Sequence, residues 1–252
     1  MIAWIGADGS HPNVIWNEVE CGDYEADLPL WEELAAALKE DEAILELGCG
    51  AGRVVHHLAV RLPQLVMGIE RDPNMVVAVW ERCHGIGGDA EIYDVRDFMF
   101  GTEFGLVLAP MQLIQLLADR RERMACLNCV RESMTPGARA AFAIVEELPP
   151  PLPESSAPPL PDVREIDGWI YSSLPLESVV EGDLIRLRRL RQTVDPDGVM
   201  KEEPNEVDLQ AISADELEEE AEEAGLLPLE RREIPATEAH VGSTVVMLEA
   251  AR

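Results

Sequence analysis

Between residues 43 and 146, short apolar runs alternate with amphipathic segments, and this alternation constrains the fold more than any other feature of the chain. The apolar runs have the length of buried strands, and the segments between them repeat apolar residues at helical spacing. The pattern predicts strands at 43–47, 65–70, 90–95, 104–109 and 138–146, and helices at 52–62, 73–83 and 118–134. Regular alternation of strand and helix indicates a parallel sheet with helices on both faces.

A further helix is predicted before this pattern. Residues 1–26 show no clear period, but a helical pattern begins at Asp27 and has Pro29 in its first turn, where proline is tolerated. Leu30 and Leu34 lie on one face of this helix. We therefore expect residues 1–42 to form an N-terminal helical cap.

The second half of the chain interrupts the alternation. Residues 148–161 are rich in proline and cannot form a regular helix or a central strand. Strand-like runs follow at 169–174, 178–194 and 199–212, and the turn sequence DPDG at 195–198 joins the last two as a hairpin. We expect residues 148–212 to be a proline-rich connector followed by a small antiparallel insertion.

Helix and strand return after this insertion. A helix begins at Ser213, which is suited to cap it, and two antiparallel strands are predicted at 228–235 and 243–250. The core domain is therefore expected to consist of residues 43–147 and 213–252.

The chain is strongly acidic, with a formal net charge of -29. Binding to nucleic acid or to an anionic membrane depends on Lys and Arg, so we expect neither partner. The dense basic run Arg186, Arg188, Arg189 and Arg191 either pairs with neighbouring acids or contacts an anionic substrate or another subunit. No sequence feature sets the oligomeric state, and a dimer is left open.

Neither the cysteines nor the apolar runs indicate a secreted or membrane protein. The five cysteines are scattered and odd in number, which argues against a disulfide framework. Cys126 and Cys129 form a C-x-x-C motif inside a helical pattern, where we expect core residues and no metal. Without a secretory signal or a run of about 18 apolar residues, the expected location is the cytoplasm.

Three glycines follow the first predicted strand at every second position: Gly48, Gly50 and Gly52. Glycine allows positive φ and close approach of a ligand at the carboxyl end of a strand, where ligands bind in open α/β sheets. A dinucleotide site needs a third glycine where this chain has Arg53, which argues against a nicotinamide-dependent oxidoreductase. Glu46, two residues before the first glycine, suits a ligand with a cationic amine.

This E-x-G-x-G-x-G pattern resembles that of the class I S-adenosylmethionine-dependent methyltransferases, and later strand ends agree with it. Glu70, followed by Arg71, ends the second strand, where the resemblance implies a carboxylate that accepts from both ribose hydroxyls. Asp94 and Val95 end the third strand, where the resemblance implies contacts to the adenine amino group and ring. Asp89 is a rival for the adenine acid, but the strand that must precede this acid favours Asp94.

The resemblance extends over residues 27–147 and 213–250 and implies the fold. That fold is α/β, with a Rossmann-like doubly wound seven-stranded sheet, an antiparallel last strand and a small antiparallel β insertion after strand five. Ala109 and Met111 follow the fourth strand, where this superfamily lines the methyl-donor cleft. Arg53 either holds the methionine carboxylate of S-adenosylmethionine or balances charge on an exposed helix face.

The residues that would face a methyl acceptor are less clearly marked. Candidates are Tyr24, Trp31, Gln112, Gln115, Glu238 and His240. His240 lies in a turn at the cofactor edge of the sheet and is the candidate base, and the alternative is a loop histidine bonded to backbone. Insertions after strand five often cover the acceptor in this superfamily, so we expect residues 148–212 to form a lid.

These features predict S-adenosylmethionine-dependent transfer of a methyl group to nitrogen or oxygen of a small-molecule acceptor. One alternative is a protein that binds S-adenosylmethionine or S-adenosylhomocysteine without catalysis. A second is a methyltransferase that acts on a protein or peptide.

Overall fold

The computed structural model describes residues 11–146, 148, 159–237 and 240–251. The helices are α1 (Pro12–Cys21), α2 (Leu28–Ala36), α3 (Arg53–Arg61), α4 (Pro73–Arg82), α5 (Arg120–Ser133) and α6 (Ala214–Glu223), with a 3₁₀ helix at Leu113–Leu116. The strands of the large sheet are β1 (Ala43–Leu47), β2 (Val66–Glu70), β3 (Gly88–Ile92), β4 (Phe104–Ala109), β5 (Met134–Ile144), β10 (Leu226–Pro228), β11 (Arg232–Ile234) and β12 (Ser243–Ala250). Those of the small sheet are β6 (Asp162–Ile166), β7 (Trp169–Glu181), β8 (Leu184–Val194) and β9 (Met200–Gln210).

The large sheet has the order β10-β12-β5-β4-β1-β2-β3, and β11 also pairs with β12. Strands β1 to β5 run parallel to their neighbours among themselves, and β12 runs antiparallel to β5. This confirms the predicted α/β fold with an antiparallel last strand. The single strand predicted at 228–235 is wrong, because two short strands take its place on β12. Pro228 has no N–H to continue the ladder where β10 ends.

The parallel strands form because both of their faces are buried. All residues of β1 and β4 are buried, and alternate side chains enter different layers. Leu45 and Val107 pack in the cluster that includes α5 and α6. Ile44 and Leu106 pack in the cluster that includes α2, α3 and α4. The sheet is therefore covered on both faces, and its carboxyl edge is left for the connecting loops.

The small sheet is antiparallel, with the order β6-β7-β8-β9. The predicted hairpin at 195–198 joins β8 to β9. The strand predicted at 178–194 is wrong, because Gly182, with a φ of 64°, turns the chain between β7 and β8. Strand β6 was not predicted, and most of the proline-rich connector lies outside the described residues.

Helix α1, which the sequence pattern did not predict, joins the two sheets. Its buried residues Ile15, Trp16 and Val19 form a cluster with Tyr171 of the small sheet. Within the part of the chain that the structure describes, no helix is long and apolar enough to cross a membrane.

Candidate functional site

The glycine turn after β1 opens a cavity of about 430 Å³ at the carboxyl edge of the large sheet. Gly48, Gly50 and Gly52 have positive φ values of 60°, 54° and 82°, which favour glycine. Gly52 is the N-cap residue of α3. A Cβ on Gly50 would lie 3.0 Å from Asn17 Nδ2, so this turn and α1 approach each other closely.

Most of the predicted cofactor residues line this cavity. They are Glu46, Gly48, Gly50, Arg53, Glu70, Arg71, Asp94, Val95 and Met111. Gly52 is not at the cavity wall. Ala109 is buried in the core and does not line the cavity either, so the structure corrects its assignment as a cofactor contact.

Glu46 is a buried carboxyl group at the cavity wall without a complete set of partners. The side chain is buried, and its Oε2 atom has no hydrogen-bond partner among the described residues. Burial raises the pKa of Glu46 to about 8, although the charge of Arg53 opposes this. A buried carboxyl oxygen without a partner fits a cationic ligand, such as the amine of S-adenosylmethionine.

Glu70 is fixed at the end of β2 by backbone donors. Its Oε1 accepts from the amides of Arg71, at 2.8 Å, and Asp72, at 3.0 Å, and its Oε2 accepts from Gly50 N at 3.3 Å. The carboxylate therefore links the end of β2 to the glycine turn. Its remaining acceptor capacity fits a pair of vicinal hydroxyl groups.

Asp94 lies in a charged cluster at the cavity wall. Arg96 donates to it from Nε, at 2.8 Å, and from Nη2, at 2.5 Å, and also contacts Glu122. These bonds lower the pKa of Asp94 to about 2, so it is ionised at neutral pH. Asp89 lies inside β3, is exposed and does not line the cavity.

Arg53 is paired with the cap that precedes the sheet. Its Nη1 and Nη2 donate to the two carboxylate oxygens of Asp27, both at 2.7 Å, and Nη1 also donates to Tyr24 O at 2.7 Å. The Arg53 side chain is 13% exposed, so its placement on an exposed helix face is wrong. Trp31 donates to the same Asp27 and is fully buried, which corrects its assignment as an acceptor contact.

His240 lies behind Tyr24. The two rings are 4.6 Å apart, and the Arg53 guanidinium lies 5.2 Å from the centre of the Tyr24 ring. Burial lowers the pKa of His240, so its imidazole is neutral at pH 7, and burial raises the pKa of Tyr24 to about 12. A path of contacts thus leads from Arg53 at the cavity wall to Tyr24 and then to His240. Glu238 lies outside the described residues.

The two glutamines after β4 have different roles. Gln115 is fully buried, donates to the carbonyls of Val145 and Gln210 at 3.0 Å each, and accepts from Val145 N at 2.8 Å. It is a structural residue, and its assignment as an acceptor contact is corrected. Gln112 has a φ of 62° and donates to Ser243 Oγ at 3.1 Å, so it links the loop after β4 to the start of β12.

Sequence reasoning missed the contribution of α1. Asn17 and Cys21 line the cavity, and Asn17 Oδ1 accepts from Ala51 N at 3.1 Å. Burial raises the pKa of the Cys21 thiol to about 11. The sequence does carry a signal for this helix. Pro12 suits a first helical position, and Asn13, Asn17 and Cys21 follow at the four-residue spacing of one helix face. Arg96 and Met75 also line the cavity without having been predicted.

The arginine run of β8 is paired with acids. The partners are Asp208, Glu206 and Glu181 for Arg186, Glu206 and Glu177 for Arg188, Asp162 for Arg189, and Glu20 for Arg191. This is the first of the two interpretations of the run. None of the described residues between 159 and 212 lines the cavity, and Cys126 of the C-x-x-C motif is buried in the core.

Comparison with known proteins agrees with this geometry. Residues 44–137 match the sequence model of a methyltransferase domain family. A search of curated proteins found no match to the chain.

Solved structures share the fold at low identity. A sugar N-methyltransferase from Streptoalloteichus sp. is 18% identical, with a TM-score of 0.75, over 100% of this chain and 98% of that one. An amino pentose methyltransferase from Micromonospora echinaspora, involved in calicheamicin biosynthesis, is 20% identical, with a TM-score of 0.70, over 94% of this chain and 97% of that one. An S-adenosylmethionine-dependent methyltransferase from Clostridium acetobutylicum is 14% identical, with a TM-score of 0.69, over 94% and 97%. The matched segment carries the glycine turn and the acidic residues that line the cavity, so residues 44–137 correspond to a methyltransferase domain, and the solved structures share the fold of the chain.

Proposed function

We propose that this chain is a methyltransferase that acts on an amine nitrogen of a small, hydroxyl-rich molecule. The observation that carries the proposal is the neutral His240 packed on Tyr24, whose ring in turn contacts Arg53 at the cavity wall. The structural neighbours that act on an amino pentose and on a sugar nitrogen support this class of acceptor. Methylation of a hydroxyl oxygen is the second candidate.

The cofactor end of the proposal depends on three acids. Glu46 is assigned to the amine of S-adenosylmethionine, Glu70 to the ribose hydroxyls and Asp94 to the adenine. When bound, S-adenosylmethionine supplies the methyl group from its sulfonium. Arg53 is assigned to the methionine carboxylate because it lines the cavity and its guanidinium is held in place by Asp27.

On the acceptor side, the chain must accept a proton. An amine attacks carbon only in its neutral form, so a protonated acceptor must first lose a proton, which a neutral imidazole can accept. His240 fits this role because burial keeps it neutral. Tyr24, with a pKa of about 12, stays protonated and serves as a wall for the acceptor. Gln112 is assigned to the same side of the acceptor site as Tyr24, and its bond to Ser243 holds its side chain in place.

The net charge of -29 supports a small acceptor over RNA. A polyanion would be repelled, and the basic side chains of the small sheet are already paired.

A label-transfer assay tests the proposal. The purified chain is incubated with S-adenosylmethionine labelled in its methyl group and, separately, with an aminohexose, the matching hexose without the amine, a lysine-containing peptide and an RNA. We expect label in the aminohexose alone. Label in the hexose supports oxygen transfer, label in the peptide supports the protein-acceptor alternative, and cofactor binding without transfer to any pool contradicts the proposal in favour of a non-catalytic binding protein.

The role of His240 is tested with His240→Ala. A general base contributes about 10²-fold or more to the rate, so we expect kcat to fall by roughly that factor while the affinity for S-adenosylhomocysteine is unchanged. The matched control is His84→Ala, which removes an exposed histidine from the loop after α4. An unchanged kcat with a raised KM would show that His240 positions the acceptor and takes no proton.

A further inference from the structure

We propose that the small sheet sets the affinity for the cofactor by holding helix α1 against the glycine turn. The small sheet lines no part of the cavity among the described residues, so this control would act at a distance. The proposal depends on the cofactor site and not on the identity of the acceptor.

The polar face of α1 meets the cofactor site. Asn13, Asn17 and Cys21 are spaced four residues apart and therefore share one face of the helix. Asn13 Nδ2 donates to Asp72 at 2.6 Å, next to the end of β2. Asn17 accepts from Ala51 N in the glycine turn, and its side-chain amide lies over Gly50. This face contributes hydrogen bonds to the cavity and little apolar burial.

The apolar face of α1 packs against the small sheet. Its three buried apolar side chains cluster with Tyr171, and the rings of Trp16 and Tyr171 meet edge to face at 5.7 Å. Because apolar burial contributes most of the stability of a docked helix, α1 is held mainly by the small sheet.

A charged contact strengthens this attachment. Arg191 of β8 donates to Glu20 from Nε at 2.8 Å and from Nη2 at 2.7 Å, and its guanidinium lies 5.0 Å from the centre of the Trp16 ring. Ser173 Oγ donates to the same carboxylate at 2.7 Å. Burial would raise the pKa of Glu20, but the bonds from Arg191 and Ser173 outweigh it and lower that pKa. Glu20 and Arg191 are therefore a matched pair across the interface between α1 and the sheet.

Within the described residues, helix α1 also has an ionic contact with the core. Glu18 pairs with Arg82 of α4 and, at 3.1 Å, with Arg164 of β6. This carboxylate is shared, so it ties the helix to both sides. If the contacts between α1 and the small sheet were lost, α1 would be held to the core mainly by polar contacts. The conformation in which Asn17 bonds to Ala51 and can support cofactor binding would then be less populated. Apparent affinity falls by the same factor as the population of the competent state.

Isothermal titration with S-adenosylhomocysteine tests this coupling. Arg191→Ala removes the contact with Glu20, and we expect its affinity to fall by about tenfold, as loss of a charge-assisted bond would produce. The matched control is Arg188→Ala, on the same strand but on the opposite face, where its partners are Glu206 and Glu177. We expect the control to remain within about twofold of the unmodified chain.

Two further variants separate this coupling from a loss of folding. Arg191→Lys keeps the charge and should restore part of the affinity, and Glu20→Gln should reproduce the loss from the side of the helix. Asn17→Ala should weaken binding in the unmodified chain but add little to Arg191→Ala, because both changes act on one contact. Equal affinities for Arg191→Ala and Arg188→Ala, or fully additive effects of Arg191→Ala and Asn17→Ala, would overturn the proposal.

Hydrogen exchange supplies a readout that a purely structural role would not change. In Arg191→Ala the amides of α1 and of Ala51 should exchange faster than in Arg188→Ala, and S-adenosylhomocysteine should restore their protection. Unchanged exchange at Ala51 in a folded Arg191→Ala would also refute the proposal.

Discussion

The two sheets differ in whether their charged side chains have partners. In the large sheet, Glu46 is a buried acid whose Oε2 has no partner in the described chain. In the small sheet, the arginines of β8 each have an acidic partner, and Arg186 and Arg191 make two-nitrogen contacts with a carboxylate. A buried charge without a partner is costly to the folded chain, whereas a paired one is offset locally. The comparison supports the proposal that the unpaired acid belongs to a ligand site, whereas the paired arginines hold the small sheet together.

The largest effect is expected from changing the backbone on which the acid site is built. Gly50 has a φ of 54°, and an added Cβ would lie 3.0 Å from Asn17 Nδ2. Gly50→Val should therefore abolish binding of S-adenosylhomocysteine in isothermal titration. The control is Gly85→Val, where φ is +81° but no atom lies within 4 Å of the added Cβ. Equal binding by the two variants would place the cofactor elsewhere.

Glu46→Gln tests whether the Glu46 carboxylate binds the cofactor. Loss of a charge-assisted bond costs about 1.5–3 kcal/mol, so affinity for S-adenosylhomocysteine should fall by roughly 10- to 150-fold. Since the pKa of Glu46 is about 8, the unmodified chain should bind more tightly as pH rises from 6 to 8 and should release a proton on binding. Titrations in buffers of different ionisation enthalpy would detect that proton, and the variant should release none.

The same variant should be more stable than the unmodified chain at pH 8. The pKa of Glu46 rises on folding from 4.5 to about 8, so its contribution to stability is complete below pH 4.5 and is lost as pH rises through 8. Glu46→Gln cannot ionise, so it should not lose stability over this pH range. Thermal unfolding of both proteins without ligand at pH 5 and pH 8 measures the difference. A variant that is less stable than the unmodified chain at pH 8 would show that Glu46 is paired within the protein.

Glu70→Ala should have a smaller effect on binding, because backbone amides share its carboxylate. We expect a loss of about 1–3 kcal/mol in binding free energy for S-adenosylhomocysteine, the range for hydrogen-bonding groups left unpaired. Glu91→Ala removes an exposed acid from neighbouring β3 and is the control for net charge. Equal affinities in the two variants would remove Glu70 from the ribose role.

Arg188→Ala should have the smallest effect. Its ion pairs with Glu177 and Glu206 are exposed, and exposed pairs are screened by solvent and salt. We expect no measurable change in the thermal midpoint at physiological salt. A clear loss of stability would break the comparison, because the exposed ion pairs of the small sheet would then stabilise the fold by more than solvent screening allows.

The sequence predicted the large sheet well because its strands are buried on both faces. The strands at 43–47 and 104–109 have the predicted bounds, since each is a continuous apolar run that a turn signal ends. The packing of helix α1 was missed because the residue that its apolar side chains contact, Tyr171, lies in another part of the chain. Contacts of this kind cannot be inferred from local spacing.

In the candidate site, too, the sequence predicted residues placed by strand topology and missed those placed by distant contacts. Glu46, Glu70 and Asp94 were found because Glu46 lies near the end of β1, Glu70 ends β2 and Asp94 follows β3 by two residues, so the parallel topology brings them to one edge. Trp31 and Gln115 were misassigned because their burial depends on single distant partners, which residue type does not reveal. The pairing of Arg53 with Asp27 also joins two segments that no sequence pattern links.

Cys21 has a chemical consequence for an enzyme that holds an activated methyl group. Thiolates are strong nucleophiles toward electrophilic carbon, and this sulfur lies at the wall of the cavity. Burial and the nearby Glu20 raise its pKa to about 11, so at neutral pH it stays a protonated thiol. A protonated thiol is a weak nucleophile, so we expect intact-mass measurement after long incubation with S-adenosylmethionine to find Cys21 unmodified.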